Sequence, residues 1–272
     1  MTVIMGIVNV TPDSFSDGGR FVDRDVAIAH GLLLQAQGAH VLDVGGESTR
    51  PGAERVDPSI EQDRVLPVIE ALAHAGAIVS IDTMNASTAV AAVRAGARII
   101  NDVSGGLADP DLLAAVASTG ADVVLGHWRG PSADMYAQAE YGDVVTEVMS
   151  EMQQRIRAAA AAGIPPARMI IDPGVGFAKT AAQNWAVLRG LDRLTGMGPR
   201  VLAGTSRKRF LAEALAPDGD VDIDEHRRDL ATAVTSVLAA RAGAWGVRVH
   251  DVADTRDALT IAGHWKGESR WT

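Results

Sequence analysis

Eight short β-branched runs alternate with eight longer amphipathic runs along a chain of 272 residues. No linker or shift in composition divides them. Several of the short runs are apolar at successive positions, as parallel strands covered on both faces are. Together these observations predict one domain of the α/β class, spanning 1–272. It is a closed (β/α)8 barrel, the TIM barrel, which typically takes about 250 residues. A doubly wound open sheet uses the same alternation and is the runner-up, since counting strands does not separate a closed sheet from an open one.

The first strand covers 3–8, where Val, Ile and Met are broken only by Gly6 and the run stops at Asn9 and Pro12. Helix 25–37 follows. The second unit is strand 41–44 and helix 59–74. Strand 78–81 and the Ala-rich helix 86–94 form the third unit, and strand 99–101 with helix 110–118 the fourth. The fifth pairs Val-Val-Leu at 123–125 with helix 144–162, and the sixth pairs Met-Ile-Ile at 169–171 with helix 181–191. Strand 201–203 with helix 227–242, then strand 247–249 with helix 255–265, complete the count. The stretch 216–225, with Asp218, Asp220, Asp222 and Asp224, reads as a local acidic loop, solvated and mobile.

The chain carries 34 acidic and 25 basic residues, a formal net charge of −9, and 47% of its residues are hydrophobic. That apolar fraction excludes a disordered chain, and the lack of a heptad or Gly-X-Y period excludes coiled coil and collagen. The acidic balance argues against nucleic acid or anionic lipid as a partner, because both attract clustered Lys and Arg. With no cysteine there is no disulfide framework, no thiolate nucleophile and no Cys-ligated metal. The first apolar stretch, 3–10, falls short of the roughly 20 residues a membrane span needs, and no basic leader precedes it. The expected location is the cytoplasm.

The chemistry lies where the strands end. Almost every strand runs into polar residues or glycines that no turn requires: Asn9, Asp43, Asp82, Asn101, His127, Asp172, Ser206-Arg207-Lys208 and Arg248-Val-His250. In a βα barrel these ends converge on one face, where active sites form. The set holds carboxylates (Asp82, Asp172), amides (Asn9, Asn101) and cations (Arg50, Lys208, Arg248, His250). It suits a ligand with one anionic end and one flat, hydrogen-bonding end.

Each residue also has a plainer reading. Asp43, Asp82 and Asp172 can each cap a helix just past a strand. Asp43 precedes a glycine loop and Asp102 precedes Val-Ser-Gly, so those two are read as local caps. Lys208 alone would be surface decoration; Arg248 and His250 on the adjacent strand end make it specific. His30, His40, His74, His226 and His264 are read as surface residues and the tryptophans as packing. Phe15 and Phe177 fall in loops and can stack on a ligand. No His-Glu-x-x-His or EF-hand pattern is present. Mg²⁺ bound mainly through substrate phosphates and water needs only one or two protein oxygens, and the Asn9 amide can supply one.

Seven strings in order, each at a predicted strand end, resemble the dihydropteroate synthase family over essentially the whole chain. They are Asn9-Val-Thr-Pro-Asp-Ser-Phe-Ser-Asp-Gly-Gly19, Gly45-Gly-Glu-Ser-Thr-Arg-Pro-Gly52, Ser80-Ile-Asp-Thr83, Ile100-Asn-Asp-Val-Ser-Gly105, Asp172-Pro-Gly-Val-Gly-Phe177, Ser206-Arg-Lys208 and Arg248-Val-His-Asp-Val252. His127-Trp128-Arg129 is similar to the actinobacterial version.

The resemblance implies a transferase of folate biosynthesis. It condenses 6-hydroxymethyl-7,8-dihydropterin pyrophosphate with 4-aminobenzoate to give 7,8-dihydropteroate and pyrophosphate, the step sulfonamides block by mimicking aminobenzoate. It implies that Asp172 and Asn101 read the pterin edge and that Lys208 donates to ring acceptors. Asp82 would face the developing cation, and Arg248, His250 and Asn9 would hold the pyrophosphate with Mg²⁺ on Asn9. Thr49 and Arg50 would reach in from the second loop. Ser206 and the helix N-terminus after it would face the aminobenzoate carboxylate. Pro51, Phe15 and Phe177 would wall its slot.

The implied mechanism is dissociative, pyrophosphate leaving before the amine attacks, with Asp82, Lys208, Arg248 and His250 as catalytic residues. A homodimer is the implied assembly. One departure is Gly126, where the family often has Met; its loss is expected to loosen the wall of the pterin pocket. The alternatives are a non-catalytic or methyl-transfer pterin barrel, which would not need the first two loops, and a phosphosugar enzyme, which gives no reason for Asp172 and Asn101.

Overall fold

The computed structural model describes residues 1–10, 20–47, 55–130, 139–216 and 223–267. Eight parallel strands close into a barrel in chain order: β1 (Val3–Asn9), β2 (Val41–Gly45), β3 (Val79–Asp82), β4 (Ile99–Asp102), β5 (Asp122–Gly126), β6 (Met169–Asp172), β7 (Arg200–Ala203) and β8 (Gly246–Val249). Pairing of β1 with β8, from Val3↔Gly246 to Gly6↔Val249, shuts the sheet and excludes the open alternative.

The helical shell among the described residues comprises α1 (Arg20–Gln37), α2 (Pro58–His74), α3 (Ala86–Arg94), α4 (Leu112–Thr119), α5 (Val144–Ala161), α6 (Ala181–Arg189), α7 (Leu191–Thr195), α8 (Arg209–Leu215), α9 (Glu225–Arg241) and α10 (Val252–Trp265). The run expected as one helix over 181–191 breaks at Gly190 into α6 and α7. Helix α8 is the helix expected after Ser206; at seven residues it is too short to show a helical period of its own. Helix α10 starts at Val252 rather than 255, since the Asp251 carboxylate accepts the Asp254 N–H at 2.9 Å and caps it there. Of the acidic loop, residues 217–222 lie outside the described residues.

Two apolar layers form. One lies between strands and helices. The other plugs the barrel: Met5, Val41, Ile99, Val124, Ile170 and Leu202, with Val3 and Trp245 against them. Fully burying an aliphatic side chain is worth about 1.5–3 kcal/mol, so this plug is a firm floor. Side chains alternate faces along a strand, so the residue two positions on points into the barrel one layer higher. Those residues are Ile7, Asp43, Asn101, Gly126, Asp172 and Gly204. Register brings Asp82 level with Gly45 and Asn101. The polar rim thus stands directly on the apolar plug.

Trp185 packs edge-on against Phe210 at 5.0 Å, as expected of a packing residue. Trp265 does not; it is 87% exposed. Among the described residues no helix is long and apolar enough to cross a membrane.

Candidate active site

At the centre of the rim a guanidinium is shared by two carboxylates. Arg248 on β8 donates from Nε to Asp43 Oδ2 at 2.6 Å and from its terminal nitrogen to Asp82 Oδ2 at 2.8 Å. Asp43 Oδ2 also accepts from Asn101 Nδ2 at 2.9 Å. A carboxylate only accepts, so Asp43 fixes which way the Asn101 amide faces: nitrogen toward Asp43, oxygen elsewhere. This corrects the reading of Asp43 as a helix cap. It is fully buried and points into the barrel, while Asp102 does cap its own turn through Ser104 and Gly106.

Burial works against the Arg248 charge, but Asp43 and Asp82 outweigh it and hold its pKa above the ordinary value. Burial raises the Asp82 carboxyl to about 7, against the pull of Arg248 and helped by the nearby Asp43 charge.

Asp172 and Lys208 form the second group. Asp172 Oδ1 accepts the Gly174 N–H at 2.7 Å. Burial pushes its carboxyl up, and Lys208 is the main influence holding it back. Lys208, whose Nζ donates to the Val175 carbonyl and lies 4.7 Å from the Phe177 ring centroid, is drawn down to about 8 by burial, with Asp172 opposing. Gly204 marks where the two groups meet. A methyl group placed there would lie 3.5 Å from Asp172 Oδ2, 3.8 Å from Lys208 Nζ and 4.0 Å from Arg248 Cβ. The ends of β6, β7 and β8 therefore deliver one carboxylate and two cations around the gap at Gly204.

His250 is oriented by Ser206, whose hydroxyl lies 2.8 Å from Nδ1 and accepts the His250 N–H at 3.0 Å. Between Ser206 and Lys208, Arg207 takes a left-handed backbone conformation (φ +56°), unusual for a side-chain-bearing residue. Two 2.8 Å bonds to the buried Asp229 on α9 hold it there. Asn9 ends β1 half-buried beside Gly45. Among the described residues no cluster of three or more His, Asp or Glu could cage a metal. The donor set therefore fits only an ion held chiefly by its ligand, with Asn9 as a single amide oxygen.

The rim thus brings together Asp82, Asn101, Asp172, Phe177, Ser206, Lys208, Arg248 and His250, with Asn9 at the end of the adjoining strand. Thr49, Arg50, Pro51 and Phe15 lie outside the described residues. Asp43, Asp229 and Lys179 were not expected to take part. The expectation that Gly126 loosens a wall does not hold: a side chain there would collide with the Val103 backbone, so the position is already filled.

A family model described as pterin binding enzyme matches residues 5–250. The dihydropteroate synthase of Mycobacterium leprae is 52% identical over 264 residues, covering 96% of this chain and 93% of that protein. The solved structure of Xanthomonas albilineans dihydropteroate synthase with 4-aminobenzoic acid aligns with a TM-score of 0.88 at 46% identity, covering 98% of this chain and 92% of the other. Yersinia pestis dihydropteroate synthase in complex with a sulfonamide drug gives 0.89 at 38% identity, covering 98% and 94%.

Proposed function

This chain belongs to the dihydropteroate synthase family of pterin-binding enzymes, and we propose that the rim just described seats the two substrates of that reaction. It is a transferase that condenses 6-hydroxymethyl-7,8-dihydropterin pyrophosphate with 4-aminobenzoate, releasing pyrophosphate. The observation that carries the seating is the convergence of Asp172, Lys208 and Arg248 on the gap at Gly204.

The pterin presents a 2-amino group and a ring N–H side by side, and a carboxylate pairs with two parallel donors. Asp172 takes that edge. Asn101, its oxygen turned away from Asp43, adds an acceptor, and Lys208 donates to the ring acceptors. Arg248 and His250 take the diphosphate. Bound there, Mg²⁺ on Asn9 would spread the negative charge of the departing diphosphate. A neutral aromatic amine is a weak nucleophile, so leaving-group departure is the step to assist. Asp82 faces the positive charge that departure creates on the pterin. Ser206 lies toward the aminobenzoate carboxylate, and Phe177 walls the ring. Sulfonamides, which resemble aminobenzoate, would occupy the same slot.

Asp82 must be ionised and Lys208 protonated for these roles. The carboxyl ionises as pH rises through about 7, and the ammonium is lost above about 8. Pyrophosphate release is therefore expected to give a bell-shaped kcat/KM profile with limbs near those values. Asp82→Asn should remove the acid limb and lower turnover by roughly 10²–10³, the effect of one preorganised group, with less change in binding. Equal turnover in wild type and Asp82→Asn removes Asp82 from the mechanism. Absence of 4-aminobenzoate-dependent pyrophosphate release in the wild type defeats the functional reading itself.

The homodimer and the cytoplasmic location are proposals too. Leu230, Val234 and Leu238 on α9, spaced by four, are 57%, 52% and 54% exposed, and the neighbouring α10 also exposes Ile261 and Trp265. A contiguous apolar stripe of this kind suits a two-fold interface. Light scattering should give twice the chain mass, and Val234→Lys should halve it. A monomeric wild type removes the proposal. Cell fractionation tests the location.

A further inference from the structure

The loop between β6 and α6 carries Asp172 and Phe177, and a side chain outside the rim holds it from beneath. Lys179 is 1% exposed. Its ammonium reaches the Gly174 carbonyl at 3.0 Å, the Phe177 carbonyl at 3.1 Å and His127 Nδ1 at 3.0 Å. An ammonium has three N–H donors, so these acceptors use them all. His127 Nδ1 then accepts, and Nε2–H donates to Glu151 Oε2 at 2.9 Å. Glu151, on α5, also pairs with Arg129, which binds Glu147 and stacks 3.7 Å from the Tyr141 ring centroid. A buried cation is thus linked through a neutral imidazole to a carboxylate at the protein's edge.

The loop needs such a clamp. Gly174, Gly176 and Ala178 all have positive φ, and Ala178, at +47°, lacks the freedom of glycine. Its carbonyls turn two ways: Gly174 and Phe177 face Lys179, while Val175 accepts from Lys208. Gly176 sits so close to Lys208 that an added methyl would lie 2.6 Å from Cδ. Any slackening of the loop therefore moves the seat of Lys208.

We propose that Lys179 is a positioning residue that, through the 172–178 loop, sets Lys208 for the pterin ring. The link to pterin rests on the function proposed above; the clamp itself does not. Burial pulls the Lys179 pKa down to about 7, with Asp172 opposing and Lys208 and Arg129 adding to the fall. A group that only filled space would do so better as a hydrocarbon.

The test compares Lys179→Met with Lys179→Gln, which keeps two N–H donors. Hydrogen exchange of the 174–178 amides without ligand should quicken about tenfold or more in Lys179→Met, while strand amides keep their rates. Calorimetric titration should show about tenfold weaker binding of pterin pyrophosphate, unchanged binding of inorganic pyrophosphate, and partial recovery in Lys179→Gln. Added to Lys208→Ala, Lys179→Met should weaken pterin binding less than about twofold further, since both act on one contact. Unchanged loop exchange, equal loss of both ligands, or fully additive losses would each overturn the proposal. If wild type does not bind pterin pyrophosphate, the functional reading fails, and the ligand-free exchange still decides the clamp.

Discussion

Asp172→Asn is expected to weaken pterin pyrophosphate binding by roughly 100-fold or more, measured by titration calorimetry. The Gly174 N–H, 2.7 Å from Asp172 Oδ1, dictates the reason. It needs an acceptor, so the new amide keeps its oxygen there and turns its NH₂ into the pocket. That NH₂ then meets the two N–H donors of the pterin and the nearby Lys208 ammonium. Two hydrogen bonds to a charged group, each worth about 1.5–3 kcal/mol, become unfavourable contacts. Amide and carboxylate have nearly the same size, so the fold should be unaffected. Wild-type affinity in Asp172→Asn removes the carboxylate from pterin recognition.

Arg248→Gln is expected to cost stability as well as activity. It leaves Asp43 and Asp82 without the cation they share at 2.6 and 2.8 Å. Breaking a buried ion pair by removing one partner costs about 3–5 kcal/mol. The Arg248 side chain keeps 21% exposure, which favours the lower end of that range. For a chain of this size the melting temperature should fall by roughly 5–10 °C. The sign of the pH dependence follows from Asp82. Its carboxyl is already raised to about 7 despite Arg248, and losing that cation raises it further. The gap between variant and wild type should therefore be widest well above neutrality and narrow as pH falls through the variant's raised carboxyl value toward about 7, where protonation removes the unpaired charge. A gap that is constant across pH, or widens in acid, contradicts the shared-cation account.

Both effects trace to residues whose placement was largely legible in the sequence. Strand ends are readable because a barrel gathers them on one face, and the strings from Asn101, Asp172, Ser206-Arg207-Lys208 and Arg248 all fall there. Asp43 was misread for a physical reason: an Asp just before Gly and a helix looks like a cap. The signal against capping was nonetheless present. Asp43 follows Val41 by two, as Asn101 follows Ile99 and Asp172 follows Ile170, so all three share the inward face above the plug. Lys179 offers no such period. Its role depends on which way backbone carbonyls turn in a loop of positive-φ residues, which residue type does not reveal. Asp229 reaches Arg207 from another helix, and 22 residues of separation carry no local signature.

The most direct test titrates wild type, Asp172→Asn and Arg248→Gln with two ligands, the pterin pyrophosphate and the same pterin without its diphosphate. Asp172→Asn should lose affinity for both, because both carry the ring edge. Arg248→Gln should lose affinity for the diphosphate-bearing ligand while binding the bare pterin nearly as wild type does. Equal sensitivity of both ligands to both substitutions, or of neither ligand to either, would mean that ring and tail are not laid across this rim.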